Sequence, residues 1–223
     1  TAEQIRSLFD RIAPVYDPLN QWLSLGQHRI WKQMAVKWSG AQRGDTCLDL
    51  CCGSGDIAQL LARQVGPTGC VIGVDFSAAQ LAIARQRSVP VQWVEADALA
   101  LPFPDNYFQA ATMGYGLRNL VNIPQGLREL HRVLRLGARA AILDFNRSPD
   151  AIVSAFQQWY LNTIVVPVAQ QMGFQADYAY LLPSLERFPT GAEQVTLAKQ
   201  CGFTAAVHYP IAGGTMGMLV VTK

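Results

Sequence analysis

The sequence predicts an α/β protein with one seven-stranded, mostly parallel sheet that ends in an antiparallel C-terminal hairpin. Short apolar runs, which suit buried strands, alternate with amphipathic runs, which suit helices, over residues 46 to 145. A glycine-broken turn follows the first apolar run. The last two apolar runs, Phe203–Tyr209 and Met216–Thr222, have no helical segment between them, so they should pair as antiparallel neighbours.

Composition narrows the class of protein. A chain of 223 residues is long enough for one domain with a substantial core, and residues 1–223 are predicted to form one. Although half of the residues are hydrophobic, no uninterrupted apolar run reaches the ~18–20 residues of a membrane span. A net charge of +2 gives no indication of nucleic-acid binding. The five cysteines form no C-x-x-C pair, which indicates neither a metal site nor a disulfide framework and favours a reducing cytoplasm.

The first strand is predicted at Thr46–Leu50, followed by a turn and a helix that runs to about Gln64. Gly53 and Gly55 in the turn let the backbone approach a ligand closely. Asp49 precedes the turn, so the ligand meets a carboxylate where a dinucleotide site presents N–H groups to a pyrophosphate. A carboxylate suits a cationic ligand. This Asp-x-x-x-Gly-x-Gly spacing resembles motif I of the class I methyltransferases, a Rossmann-like fold whose ligand is S-adenosylmethionine (SAM).

The second strand, Cys70–Asp75, ends on an acid 20 residues past Gly55. That offset is close to the ~20 residues at which an acid meets a ribose in Rossmann-like sites. A carboxylate can accept hydrogen bonds from both ribose hydroxyls. Asp75 is therefore predicted to bind the ribose, with Phe76 beside it, and Ser77 is predicted to cap the next helix, Ala78–Arg87.

The third strand, over residues 91–98, places an acid at the same predicted edge of the sheet. Asp97 is predicted to accept the exocyclic amine of an adenine, and the small side chain of Ala98 leaves room for the ring. Strand four, Gln109–Met113, leads into a loop whose first residue, Gly114, is also predicted to contact the cofactor.

The following segment is predicted as a helix from about Ile123 to Leu134, ended by Gly137, and a fifth strand from Ala138 to Phe145. Three arginines of this region are interpreted as a solvated face: Arg128, Arg132 and Arg135.

Two segments lie outside the regular alternation. Residues 1–38 form an aromatic arm of short helices, which either packs over the domain or faces the substrate. Residues 148–190 form an insertion, with a helix over about 151–165, that is predicted to act as a lid on the pocket. A last helix is predicted over Gly191–Cys201.

Four further stretches carry a more specific resemblance. They are residues 9–17, residues 24–32 with Asn20, residues 101–108, and the loop of residues 114–119, Gly-Tyr-Gly-Leu-Arg-Asn. Together they resemble the UbiE/MenG family, which C-methylates the rings of prenylated quinols. The resemblance covers the chain from about Leu8 onward. The Cys-Cys-Gly-Ser-Gly-Asp stretch of residues 51–56 is similar to the plant and cyanobacterial branch, which implies a demethylphylloquinol, 2-phytyl-1,4-naphthoquinol, as substrate.

The resemblance also implies roles in catalysis. Carbon is methylated only when the neighbouring ring hydroxyl is reduced and partly ionised, so a base or a stabilising cation is needed. His28 is the candidate base and Arg118 the candidate cation, while Tyr115 stacks on the ring. The alternatives are a structural histidine, a buried arginine paired with an acid, and a tyrosine that only packs.

Four residues are predicted to close the substrate pocket: Asp10, Tyr16, Asp17 and Asn119. N-capping explains the two acids of the arm nearly as well. Two positions depart from the family pattern, because relatives often carry a threonine where this chain has Ala58 and a serine where it has Gly114.

Several alternatives stay open at this point. Within the same chemistry the substrate could be a demethylmenaquinol or a ubiquinone precursor. Two alternatives belong to other functional classes. The chain could be a non-catalytic SAM-binding scaffold subunit, or it could be a nicotinamide-dependent dehydrogenase. The motif I spacing disfavours the dehydrogenase. A lipophilic substrate implies a cytoplasmic protein with peripheral membrane contact, thylakoid-facing in a photosynthetic cell. The sequence leaves the oligomeric state open.

Overall fold

The computed structural model describes residues 3, 6, 7, 10, 11, 26–167 and 181–223. Within this part of the chain one sheet contains β1 (Thr46–Leu50), β2 (Cys70–Asp75), β3 (Val91–Glu95), β4 (Phe108–Gly114), β5 (Leu134–Phe145), β6 (Ala205–Ile211) and β7 (Met216–Thr222). The helices of the same part are α1 (His28–Ser39), α2 (Asp56–Val65), α3 (Ala78–Arg85), α4 (Ile123–Val133), α5 (Ala151–Tyr160), α6 (Leu181–Arg187) and α7 (Gly191–Gln200).

The strand order is β3-β2-β1-β4-β5-β7-β6. All neighbours are parallel except β7, which runs antiparallel to both β5 and β6. The predicted seven-stranded sheet with an antiparallel C-terminal hairpin is confirmed. Since β1 lies between β2 and β4, the strand order reverses there, and a crevice opens at the carboxyl ends of these strands.

The register across the sheet places one row of side chains under that crevice. Asp49 of β1 is level with Thr112 of β4 on one side and with Gly73 of β2 on the other. Gly73 is in turn level with Trp93 of β3. Because residues level with one another in parallel strands point to the same face, these four side-chain positions form one row.

The boundary between α4 and β5 differs from the prediction. The helix ends at Val133, and the strand begins at Leu134. Gly137, expected to end the helix, instead has φ +78° inside β5, where its N–H group bonds the carbonyl of Lys223. The pairing of β4 with β5 shifts at this point. A left-handed glycine serves a β-bulge as well as a helix end, and the pairing partner decides which one forms.

The interpretation of Arg132 as part of a solvated face is wrong. Its guanidinium donates to the carbonyl groups of Leu101 and Phe103, at 2.9 and 2.7 Å. It also pairs with Asp105 and Glu129, at 2.9 and 2.8 Å. The proline-rich loop before β4 folds against α4, and Arg132 bonds it there.

The arm packs on the sheet through α1. Trp31 and Trp38 lie against buried residues of β5 and β7, and Trp38 contacts the ring of Tyr209 at 5.0 Å between centroids. Nearer the N-terminus, Arg6 pairs with Glu95 at 2.6 Å and Asp10 accepts a hydrogen bond from Ser77. The described part of the arm therefore packs over the domain. Tyr16 and Asp17 lie outside the described residues.

The insertion continues α5 with a widened, π-helical turn at Leu161–Val165, so the predicted helix over 151–165 is present. The Gln157 side chain donates to the carbonyl of Thr215 at 2.9 Å, which ties α5 to the start of β7. Among the described residues no helix combines the length and the apolar character that a bilayer crossing requires.

Candidate active site

A single cleft at the carboxyl ends of β1 to β4 gathers most of the predicted site residues. Its lining includes Asp49, Gly53, Asp75, Phe76, Asp97, Ala98, Gly114, Tyr115 and Asn119. It does not include four other predicted residues, Asp10, His28, Gly55 and Arg118. The three aspartates follow adjacent strands in the order β1, β2, β3, so their carboxylates are spread along one wall.

Asp49 is fully buried at the end of β1. Its Oδ1 accepts a hydrogen bond from the hydroxyl of Thr112 at 2.8 Å, which the level register of the two residues makes possible. Its Oδ2 is buried and has no hydrogen-bond partner. Burial raises the pKa of Asp49 to about 7, against the smaller lowering effects of Thr112, the Ala58 N–H group and Lys32. A cation that reached Oδ2 would therefore stabilise the ionised form.

Asp75 stands at the end of β2 and fixes the glycine turn. Its Oδ2 accepts the N–H group of Gly53 at 2.8 Å, and its Oδ1 accepts that of Ser77 at 2.9 Å. Burial raises the pKa of Asp75, and these backbone N–H groups oppose that rise. Each oxygen can accept a further hydrogen bond, so the carboxylate is held in position for a ligand with two hydroxyls.

The two glycines of the turn, Gly53 and Gly55, have different structural roles. Gly53 has φ +53°, a left-handed conformation, and lines the cleft. A Cβ on Gly55 would overlap the ring of Trp93, and so would one on Gly73. The missing side chain of Gly55 makes room for Trp93, and a contact of Gly55 with the cofactor stays a prediction.

Asp97 and Ala98, which are predicted to contact the adenine, and Phe76 all line the cleft. Asp97 is exposed, and its Oδ1 accepts the N–H group of Leu99 at 2.9 Å. Ala98 is buried. The structure brings the three side chains together beside Asp75.

The opposite wall is the loop that follows β4. Tyr115 has φ +59°, a conformation that residues with a Cβ rarely adopt. Its N–H group bonds Leu143 at 2.7 Å, and its carbonyl accepts from Arg118 at 3.1 Å and from the Asn119 side-chain amide at 2.9 Å. Both partners thus hold the strained peptide in position.

Arg118 is buried and paired with an acid, which is the alternative to a direct catalytic role. Its guanidinium pairs with Asp144 at 2.6 Å and lies 5.0 Å from the ring centre of Phe145. The other oxygen of Asp144 accepts the Arg118 N–H group at 3.1 Å. Arg118 therefore contacts the loop rather than the cleft.

His28 and Asp10 also lie behind the cleft lining. His28 is buried at the start of α1, where its charge helps to lower the pKa of Asp56. Asp10 contacts Ser77 at the start of α3. Direct contact of either side chain with a reacting ring stays a prediction.

The lining residues that went unpredicted include Lys32, Asp56 and Gln80. Lys32 pairs with Asp56 at 2.6 Å, and Asp56 also pairs with Arg87 at 2.8 Å. Lys32 lies within the family-like stretch of residues 24–32, and that stretch was the available signal. Gln80 lies in the helix after Asp75 and gave none.

Buried acceptors without partners mark what the cleft can bind. Within the described chain, the buried side-chain oxygens that lack a hydrogen bond are Asp49 Oδ2, Gln80 Oε1 and Asn119 Oδ1, and all three residues line the cleft. An unsatisfied buried acceptor is costly, so a ligand rich in donors is favoured. SAM offers an ammonium, two ribose hydroxyls and an adenine amine, so the acceptors of Asp49 and Gln80 fit it.

Comparison with solved structures supports the fold. The chain resembles a SAM-dependent methyltransferase from Aquifex aeolicus, with a TM-score of 0.64 and 18% identity over 85% of this chain and 88% of the other. It also resembles one from Thermotoga maritima, described as a possible histamine N-methyltransferase, with a TM-score of 0.69 and 17% identity over 98% and 99% of the two chains.

Comparison with curated sequences identifies the protein family as well as the fold. A 2-phytyl-1,4-naphtoquinone methyltransferase from a Nostoc species is 62% identical over 99% of both chains. The chloroplastic 2-phytyl-1,4-beta-naphthoquinone methyltransferase of Arabidopsis thaliana is 52% identical over 98% of this chain and 87% of its own. The sequence profile of the ubiE/COQ5 methyltransferase family matches residues 1–223. With the cleft described above, these findings establish a SAM-dependent methyltransferase, and the chain belongs to the ubiE/COQ5 methyltransferase family.

Proposed function

We propose that this enzyme methylates a ring carbon of 2-phytyl-1,4-naphthoquinol, the reduced form of the quinone. The observation that carries the proposal is the name shared by relatives from a Nostoc species, Synechocystis and Arabidopsis thaliana, which are 62%, 56% and 52% identical over at least 98% of this chain. The quinol rather than the quinone is the acceptor, because only the reduced ring has a nucleophilic carbon.

The methionine side of the cleft fits the donor. Bound SAM supplies an electrophilic methyl group on a sulfonium, and transfer requires the acceptor carbon to lie in line with it at ~3–3.5 Å. We assign the cationic end to Asp49, the ribose to Asp75 and the adenine to the surroundings of Asp97. This order follows the strands from β1 to β3.

The loop after β4 fits the acceptor. The Tyr115 carbonyl can only accept hydrogen bonds, so the Asn119 amide nitrogen must face it and Oδ1 must face away. We assign Oδ1 to the ring hydroxyl beside the reacting carbon. Accepting a hydrogen bond from that hydroxyl raises the electron density on its oxygen and hence on the carbon, while the hydroxyl proton itself is released to solvent. Leu120 and Val121 supply apolar lining on the same side.

Arg118 acts in this proposal through the loop. Paired with Asp144, it holds the carbonyl of Tyr115, and through it the amide of Asn119. Its role is positioning. His28 in the same way acts through Asp56 and the start of α2.

The organisation of the chain belongs to the same proposal. We infer one domain, since all described strands share one sheet, with residues 148–190 as a cover for the acceptor side. In support, α6 contacts the turn of residues 117–119, which includes Asn119. Arg147 donates to the carbonyls of Glu186 and Phe188, at 3.2 and 3.0 Å, and so joins the two ends of the insertion.

The phytyl tail implies contact with a membrane. Three large apolar residues of α5 are exposed to solvent: Ile152 (82%), Phe156 (54%) and Trp159 (53%). The helix α5 contains no charged residue. Such a helix face suits the membrane interface. We expect Phe156→Ser with Trp159→Ser to reduce flotation with liposomes, while Val207→Ser, an exposed apolar residue on β6, does not. Equal flotation of all variants would exclude this face.

Product mass analysis tests the proposed reaction. The enzyme is incubated with SAM and chemically reduced 2-phytyl-1,4-naphthoquinone, and the product should gain one methyl group on a ring carbon. Parallel reactions with a demethylmenaquinol and a ubiquinone precursor determine the tail and ring preference. SAM binding without any methylated product would instead indicate a non-catalytic subunit.

Asn119→Leu tests the acceptor assignment. This variant should lower kcat/KM for the quinol by about tenfold or more, the effect of one lost hydrogen bond to a partly charged group, and leave SAM affinity unchanged. A matching loss of SAM affinity would move Asn119 to the cofactor side.

A further inference from the structure

The amino-acid end of SAM carries two opposite charges, an α-ammonium and an α-carboxylate. The cleft contains a buried anion at the end of β1 and a buried cation on α1 that would face this part of the cofactor. The anion is Asp49, whose Oδ2 has no partner. The cation is Lys32, which lines the cleft from α1.

Lys32 is placed on the cleft by the packing of the arm. Its side chain is 8% exposed, and its Nζ lies 2.6 Å from Asp56 Oδ2. An ammonium has three hydrogen-bond donors, and that contact uses one of them. Lys32 and Asp56 both line the cleft, and a lysine is rarely buried unless it is paired.

Asp56 does not neutralise Lys32 completely, because it is shared. Arg87 lies 2.8 Å from the other oxygen of Asp56. Burial alone would raise the pKa of Asp56, yet Lys32, Arg87 and His28 together lower it below its usual value. Lys32 and Arg87 thus each contact one oxygen of the same carboxylate, and the cationic side chain of Lys32 on the lining favours an anionic ligand group.

The charge of Lys32 also reaches Asp49, since it contributes to lowering the pKa of that carboxyl. Both groups line the cleft. They belong to different elements, α1 and β1, so a ligand between them would connect the arm to the sheet.

We propose that Lys32 binds the α-carboxylate of SAM while Asp49 binds its α-ammonium. Each charged group of the amino-acid end then has a partner of opposite sign, and the methyl-bearing sulfur is fixed relative to the sheet. The arm becomes part of the cofactor site rather than only a cover. The inference concerns cofactor binding alone, so its failure would leave the proposed quinol acceptor untouched.

The test is a series of ligands measured by calorimetric titration. S-adenosylhomocysteine has both charged groups, its decarboxylated analogue lacks only the carboxylate, and 5′-methylthioadenosine lacks both. We expect the wild-type protein to bind the decarboxylated analogue about 10- to 100-fold more weakly than S-adenosylhomocysteine, the usual effect of one charge-assisted hydrogen bond.

Lys32→Met should remove this discrimination. The variant should bind S-adenosylhomocysteine about as weakly as the wild type binds the decarboxylated analogue, and its affinity for 5′-methylthioadenosine should be unchanged. Lys37→Met is the matched control, because Lys37 lies on the same helix and is exposed. It should leave all three affinities at wild-type values.

Two results would overturn the inference. If Lys32→Met weakens all three ligands by one common factor, Lys32 only maintains the fold of the site. If the wild-type protein binds S-adenosylhomocysteine and its decarboxylated analogue equally well, no cation contacts the carboxylate. The second measurement needs no variant, so it decides the question even if Lys32→Met fails to fold. Lys32→Arg, which keeps the charge, should preserve most of the discrimination.

Discussion

The two walls of the cleft are built in different ways. On the wall formed by β1 to β3, each acid stands at or just past the end of its own strand. Backbone N–H groups hold two of the three acids, as Gly53 and Ser77 hold Asp75. On the wall after β4, Tyr115 and Asn119 are held by a side-chain network whose key acid, Asp144, comes from β5. The first wall is held mainly by backbone groups, and the second depends on a buried ion pair.

Because of this difference, substitutions in the two walls should affect different properties of the protein. A backbone-supported carboxylate loses ligand affinity when it is changed, while the strands below it remain paired. A buried ion pair that supports a strained loop loses stability first, because its remaining member is left without a counter-charge. Substitutions in the first wall should therefore lower ligand affinity, and substitutions in the second wall should lower the free energy of unfolding.

The largest effect is expected from Asp144→Ala. It removes the acid that lies 2.6 Å from the guanidinium of Arg118, which is 5% exposed, and should lower the free energy of unfolding by about 3–5 kcal/mol in denaturant titrations. The control is Asp105→Ala, which breaks the contact of an acid that is 68% exposed with Arg132. That change should cost less than about 1 kcal/mol. Equal losses would mean that burial does not distinguish the two pairs.

On the other wall, Asp49→Asn should weaken SAM binding by about 10- to 100-fold in calorimetric titrations, because it removes the charge opposite the ammonium. Unlike Asp144→Ala, it should not destabilise the protein at pH 8. The wild-type carboxyl has a raised pKa of about 7, so its ionisation opposes folding above the unfolded value of 3.8, and the amide removes that cost.

Asp97→Asn is the control in the same wall. Asp97 is exposed, and an amide oxygen can still accept a hydrogen bond, so affinity should change only a few-fold. A loss as large as that of Asp49→Asn would contradict the distinct role given to Asp49.

The affinity for SAM should depend on pH through the ionisation of the Asp49 carboxyl. Since the pKa of Asp49 is about 7 in the free protein, a cationic ligand must displace a proton below that pH. Affinity should fall by about tenfold from pH 7.5 to pH 6, where the ligand's amino group, with a usual pKa of ~7.7–8.0, stays mostly protonated. Asp49→Asn should flatten the profile. A wild-type profile that is already flat would assign the ammonium to another residue.

The smallest effect concerns the strained peptide of Tyr115. Both Tyr115→Ala and Tyr115→Gly remove the ring, but alanine keeps the cost of φ +59° and glycine does not. The glycine variant should be more stable by about 1 kcal/mol in thermal unfolding. At Tyr107, whose φ is not positive, the order should reverse, because glycine there only adds chain entropy. The same order at both sites would show that the loop relaxes.

Sequence reasoning was most successful where a pattern is local. Alternating apolar runs located the strands, and the offsets between Asp49, Gly53 and Asp75 located one wall of the cleft, since the carboxyl ends of parallel strands meet at one edge. It failed where a residue's partner is distant. Arg132 was taken as solvated because its helix pattern gives no sign of the loop that its guanidinium bonds, and Gly137 was assigned to a helix end because a bulge depends on the partner strand.

The sequence by itself determined the sheet, the crevice and the acids at its strand ends, because strand periodicity and turn chemistry are written in neighbouring residues. Only the tertiary structure decided that Trp93 fills the space beside Gly55, that Arg118 supports Tyr115 from behind, and that Lys32 reaches the cleft. Those contacts join residues that register and helix packing bring together. Neither the composition nor the spacing of a single segment specifies them.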